Sequence, residues 1–599
     1  MLVASKIRLR VSLLVAMVAG APAAYAALPE VADRVPANAH LVVTLDNLGS
    51  FMSQMSAIEK LFGQADADRG PIAGLEMFGN AKGVKKDGAV AMVIMPGADG
   101  KPAMEEGQSP PMVVFVPVTD YAAFVAGFEG QVNGAISTLM VDGTEAFAKD
   151  IGGGYALMSD QQGLLESFPA EAKGQREGHL ARAGARGREV IERSNLVVLA
   201  DVQGLKPALE QGVQQMKDQA EAMSGMMGGM GGGMGDEDMG EDAAEDSAKV
   251  FDQMSEAFMR DGRTIVGGVS LAGGHMALHI GAQFLEGTPM AGTFADAGNA
   301  APILNRLPAT PFIMAYAADT SSPQFRKIME DMQKMQEESG MGEINRLMSN
   351  MAEGSTGNAF IMGFNPMALM GGGLFINSAA FNAVNDTAAF MTSSKEAMLA
   401  LNGKETEVGT FATTYEADAV EVSGVKVAKT TMKIEPGMDS DPMVGQMMAM
   451  MMGPTQQIEM LSAPVEGGIV TALSNNPPLL ASAIDAAKGG NNLGKDAGIK
   501  TVRELLPGNR VMEAYLGTKS VLDSVSPMLA MFGMGDELDV PGSMNPMGFA
   551  MTSGEGGMSL SMVIPADNLK AFADIAKQMQ AMQGGDMGGD EDEGGAPAF

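Results

Sequence analysis

Arg34-Val35-Pro36-Ala37 and Arg306-Leu307-Pro308-Ala309 each open a stretch of this 599-residue chain, and the two stretches then run alike. Val118-Thr119-Asp120-Tyr121-Ala122-Ala123-Phe124 in the first is echoed by Val384-Asn385-Asp386-Thr387-Ala388-Ala389-Phe390 in the second. Two matches in the same order, at nearly the same spacing, mark an internally duplicated module. An architecture follows from the duplication; a chemistry does not.

Each module starts with a Pro-containing turn, an apolar strand and a helix. His40 to Asp46 reads as a strand. Asn47 to Phe62 reads as a helix, with Leu48, Phe51, Met52, Met55, Ile58 and Leu61 at helical spacing. Leu196 to Asp201, Phe312 to Tyr316 and Val511 to Leu516 repeat the strand, the second of these three opening the second module. Ala89 to Met95 and Met112 to Val116 are strands around a Gly/Pro-rich loop, and Asp120 or Thr119, like Asp386 or Asn385, is an N-cap type. Thr264 to Phe284 and Phe549 to Ile564 are hairpins. Their second strands alternate Met276, Leu278, Ile280, Ala282, Phe284 and Met558, Leu560, Met562, Ile564. Alternation of one apolar and one polar face predicts antiparallel sheet with helices packed on one side. The fold class is therefore α+β, a duplicated module of about four related sheet–helix units. The domains are a first module over 27–300 and a second over 301–583. An acidic Gly/Met insert at 224–247 and an acidic tail at 584–599 cannot bury enough to offset their ordering entropy. The uncharged run from Gly354 to Asn385 is broken by Asn365-Pro366 and Gly371-Gly372-Gly373, so it reads as a buried hairpin rather than a membrane span.

Residues 1–26 read as a signal peptide. Lys6, Arg8 and Arg10 precede a short apolar stretch, and Ala24-Tyr25-Ala26 is a small-x-small cleavage site. Leu9 separates the two arginines that a twin-arginine signal would place together. The expected location is the periplasm or cell envelope of a bacterium, with no transmembrane span after cleavage. The formal charge of −33 becomes −36 when Lys6, Arg8 and Arg10 are lost, which argues against nucleic acid and anionic lipid surfaces as partners. With no cysteine there is neither disulfide nor thiolate chemistry. The 55 methionines instead supply flexible, gap-filling apolar side chains.

The opening pattern, Pro36 or Pro308 ahead of an apolar strand and a helix, resembles a family of exported bacterial proteins known as a domain of unknown function. The resemblance implies an extracytoplasmic location and repeated strand–helix units. It supplies no site residues, and Val511 to Leu516 lacks the Asp found at 46 and 201.

The sharpest chemical feature is the loop holding Met223, Met226, Met227, Met230 and Met234. Thioethers are soft ligands that suit cuprous copper, and the intervening glycines let the backbone gather them. The same composition is similar to the Gly-Gly-Met tails of bacterial chaperonins, which implies flexibility. A second cluster, Met447 to Met452, points around a helix rather than to one ligand sphere. His275 and His279 share one strand face roughly 13 Å apart, too far to chelate one ion. With His40 and His179 they read as solvated surface groups. Asp46 and Asp201, each after an equivalent strand, read as turn or cap residues. The acidic runs at 236–238 and 590–593 lack the calcium-loop pattern. The chain carries no nucleophile elbow, no H-E-x-x-H helix and no phosphate loop.

These features favour a non-enzymatic envelope protein with an interaction or structural role and an unidentified protein or ligand as partner. The alternative is a ligand-binding protein that takes copper through the methionine loop, or an apolar molecule between the modules. An enzyme with an unfamiliar site is a third reading.

Overall fold

A computed structural model describes residues 28–62, 78–79, 81–96, 111–141, 143–169, 174–214, 252–271, 274–322, 326, 354–364, 376–406, 409–435, 453, 457–531 and 540–585. The first part of the chain supplies nine strands. They are β1 (Leu41–Leu45), β2 (Val90–Ile94), β3 (Met112–Pro117), β4 (Ser137–Val141), β5 (Thr144–Asp150), β6 (Tyr155–Ser159), β7 (Leu196–Asp201), β8 (Gly262–Ser270) and β9 (Met276–Phe284). The rest supplies β10 (Phe312–Asp319), β11 (Ser355–Gly363), β12 (Ala379–Val384), β13 (Glu405–Thr406), β14 (Gly409–Val422), β15 (Val425–Glu435), β16 (Gln457–Val465), β17 (Gly468–Ala472), β18 (Arg510–Leu516), β19 (Met547–Gly554) and β20 (Gly557–Ile564).

All of these strands join one antiparallel sheet. From one edge inward the order is β4, β5, β6, β3, β2, β1, β7, β8, β9. From the other edge, inside β13 and β14, it is β15, β16, β17, β12, β11, β10, β18, β19, β20. The two orders correspond strand for strand, and β9 pairs with β20 to fuse them. In that pair His279 sits opposite Ser561, the positions that correspond in the two hairpins, so a local two-fold relation passes through this couple. The uncharged run after Gly354 forms β11 and β12, which pair as a hairpin.

Helices α1 (Leu48–Phe62), α2 (Tyr121–Gly127), α3 (Gln162–Ser167), α4 (Arg176–Arg193), α5 (Thr387–Ala400), α6 (Pro477–Ala487), α7 (Ala497–Leu505), α8 (Thr518–Met531) and α9 (Ala566–Gly585) pack on the sheet or on each other. Asp120 caps α2 by accepting from the Ala123 N–H at 3.0 Å, and Asp386 caps α5 by accepting from Ala388 and Ala389. These are the Asp residues that the repeated motif marks. Arg34 and Arg306 also act alike, each reaching a left-handed glycine, Gly153 or Gly467, in the turn ahead of β6 or β17. Each guanidinium stacks 5.5 Å from an aromatic ring, Tyr155 or Phe381.

The α+β class and the antiparallel sheet are as read from the sequence. The helices, expected on one side, divide over both faces. Leu41, Val43 and Leu45 of β1 pack with Leu48, Phe51 and Phe124. Val42, between them, packs on the opposite face with Leu165, Val190 and Ile191. A strand apolar on both faces, as β1 is, has to be covered twice. In the second half α6 and α7 bury Leu480, Ile484 and Val502 against Ala315, Ala317 and Tyr515.

Candidate functional site

Alternation along β9 and β20 sends His279 and Ser561 to one face and Ile280 and Leu560 to the other. Helix α4 covers the His279 face. It lies close because that face is small: a Cβ on Gly268 would come within 2.0 Å of Ser194 Oγ, and one on Gly281 within 3.1 Å of Val190. The alternating apolar positions of β9 and β20, expected beneath the helices, therefore point away from α4. Ile280 and Leu560 are 53% and 43% exposed.

The apolar face continues across six strands. One row runs Leu278, Met562, Phe549, Ala514, Tyr316, Phe360. The next runs Ile280, Leu560, Met551, Met512, Ala318. Leu516, Met314 and Met362 start a third. None of these residues carries a charge, and apart from Ala318 they are half-buried or exposed. Five interstrand gaps and three rows give a footprint of roughly 24 by 14 Å. That footprint, about 340 Å², is the size of the largest apolar patch on a typical monomer, and such patches are often functional. Phe258, Phe284 and Phe294 close one end, with Met551 and Met558 packed against them.

The opposite face holds a polar layer. His279 is 3% exposed, and its Nδ1 lies 2.8 Å from Ser561 Oγ. Burial, helped by the charge of Arg193, lowers its pKa to about 4. On the same face, two strands beyond Ser561, stands Glu513, with no exposure. Its Oε1 accepts from Arg503 Nη2 at 2.8 Å, and its Oε2 accepts from the Tyr515 hydroxyl at 3.0 Å. Arg510 Nε sits 2.9 Å from Oε2, an ion pair off the hydrogen-bond line. Arg503 also donates to Asn305 Oδ1 at 3.0 Å. Burial, then Glu513, pushes the Tyr515 hydroxyl above its ordinary range. Both carboxylate oxygens are engaged by cationic or hydroxyl donors, which suits fastening better than proton abstraction.

The five loop methionines, Met223, Met226, Met227, Met230 and Met234, lie outside the described residues, as does Met447 to Met452. The histidines are not solvated surface groups. His179 is buried with Nε2 2.9 Å from the Val35 carbonyl oxygen, His279 is buried, and His40 and His275 are half-buried. Burial is the main cause lowering the pKa of all four. Asp201 acts as a turn residue, accepting from the Gly204 N–H at 2.8 Å and lying 3.8 Å from Arg182. After β1 it is Asn47, not Asp46, whose side chain accepts from the helix, at Ser50. Burial raises the pKa of Asp46. Among the described residues no three His, Asp or Glu side chains group to hold a metal ion, and no helix is long and apolar enough to cross a membrane.

The methionines that do come together, on the Ile280–Leu560 face, were visible only as strand alternation. Nothing in the alternation said which face α4 would cover. No protein-family model, no curated protein and no solved structure matches the chain.

Proposed function

We propose that this chain is an exported, non-catalytic binding protein that holds an apolar, chain-like ligand, such as a lipid acyl chain, on the Ile280–Leu560 face. The observation that carries the proposal is the charge-free field of half-buried methionine, leucine and aromatic side chains across six strands, with Ile280 and Leu560 exposed within it. An apolar ligand gains by leaving water for such a surface. Flexible thioether side chains adapt to its shape without demanding one fixed fit. The width of roughly 24 Å accommodates an extended acyl chain lying across the strands. Export rests on the signal-like residues 1–26. The face supports the ligand-binding alternative over the interaction or structural role that the sequence favoured.

The test is native mass spectrometry of the protein purified gently from its own envelope, beside an Ile280→Asp/Leu560→Asp variant. Both positions are exposed enough that the variant should keep its fold, within about 0.5 kcal/mol per site. A lipid-sized mass on the wild type, absent from the variant, is expected. A bare wild-type mass, with no uptake of a fluorescent fatty acid, sinks the proposal. A co-purified protein lost in the variant assigns the face to a protein partner instead.

A further inference from the structure

We infer that Met512, Met551 and Met562 form an oxidation site, and that two-electron oxidants of the peroxide or hypochlorous acid class switch the face from apolar to polar. Met551 lies directly opposite Met512 on one side and the exposed Leu560 on the other. Met562 lies opposite Leu278 and Phe549. All three are partly open to solvent, whereas Met158 and Met398 are buried at 9% and 8% exposure. The chain has no cysteine to react first, so thioethers are its oxidisable sulfurs.

The step balances without a cofactor. A sulfur lone pair takes the terminal oxygen of the oxidant, and the O–O or O–Cl bond breaks. Sulfur is oxidised by two electrons to the sulfoxide, while peroxide leaves as water or hypochlorous acid leaves as chloride and a proton. The new S=O group is a hydrogen-bond acceptor. Its neighbours Leu278, Phe549, Leu560 and Ala514 have no side-chain donor, and the hydroxyl of Tyr316, diagonal to Met512, is the one donor in the two rows. The oxidised face therefore favours water over an apolar ligand, and sulfoxide reduction would restore it. The loss of ligand rests on the proposed function; the modification does not.

The experiment treats the full chain with graded hydrogen peroxide and maps oxygen addition peptide by peptide. Retention on a phenyl matrix and binding of a fluorescent fatty acid are followed in parallel. A Met512→Leu/Met551→Leu/Met562→Leu variant, close in volume and not oxidisable, is treated alongside. Sulfoxide is expected at 512, 551 and 562 well before 158 and 398. The wild type should lose phenyl retention at doses where the variant holds the retention it shows untreated, and probe binding is read in each protein only against its own untreated value. Conversion of Met158 and Met398 first overturns the inference. So does unchanged phenyl retention after full conversion, or equal loss in the variant. If the untreated protein binds no probe, the proposed function fails, while mapping and phenyl retention still decide the oxidation site.

Discussion

His279 gives the seam between the two halves a calculable dependence on pH. Its imidazole is buried under α4, held by Ser561, and its pKa falls from 6.5 to about 4 through burial and then the charges of Arg193 and His275. Above pH 6.5 the folded and unfolded chains both hold a neutral ring, and the contribution to stability is fully present. As pH falls from 6.5 toward 4 the unfolded chain binds a proton that the folded chain refuses, so stability drops. Below about 4 the folded ring also protonates and the loss levels off. At about 1.4 kcal/mol per pKa unit, the loss between pH 7.5 and pH 4 is about 3 kcal/mol. The assay is urea unfolding at both pH values for the wild type and for His279→Gln, which keeps a hydrogen-bonding partner for Ser561 but does not titrate. Carboxylates and the other three histidines contribute equally to both proteins, so the difference isolates this site. The variant should lose about 3 kcal/mol less on acidification. Equal losses would refute the burial of a neutral imidazole at the seam.

Two further substitutions probe how the sheet is fastened. Glu513→Ala leaves Arg503 of α7 and the buried Arg510 of β18 without their shared counter-charge, and should cost about 3–5 kcal/mol in urea unfolding. A cost below about 1 kcal/mol would mean that both guanidinium groups escape to water. Gly184 interrupts α4 at a φ of 67°, and a Cβ there would sit 2.0 Å from Gln283 Oε1. Gly184→Ala should therefore cost at least the left-handed penalty of about 1–2 kcal/mol. It should cost less in a Gln283→Ala background, and equal losses in both backgrounds would show that Gln283 gives way freely.

Much of the fold was legible because short motifs carried local physics. Asp120 and Asp386 advertised helix starts, and both cap as their type predicts. Alternation in Thr264–Phe284 and Phe549–Ile564 announced hairpins, and both formed. Pairing of β9 with β20 was not legible. It joins residues 282 positions apart, as His279 to Ser561 shows, and no local pattern specifies a partner at that distance.

Face assignment failed for a related reason. An alternating strand shows which residues share a side but not which side a distant helix will cover. At β8 and β9 the deciding residues are Gly268 and Gly281, which let α4 approach the backbone closely. Close approach brings α4 against the small and polar face, with His279 beneath it, and leaves Leu278 and Ile280 outward. Composition scales reverse this choice, because they rank isoleucine and methionine as interior and glycine and histidine as neutral. The inversion also bears on function. Apolar side chains exposed on the face away from α4, as Ile280 and Leu560 are, cost solubility, and a chain of charge −33 can carry that cost. Ile280 and Leu560, the most exposed side chains on that face, are therefore the residues on which the proposed function stands or falls.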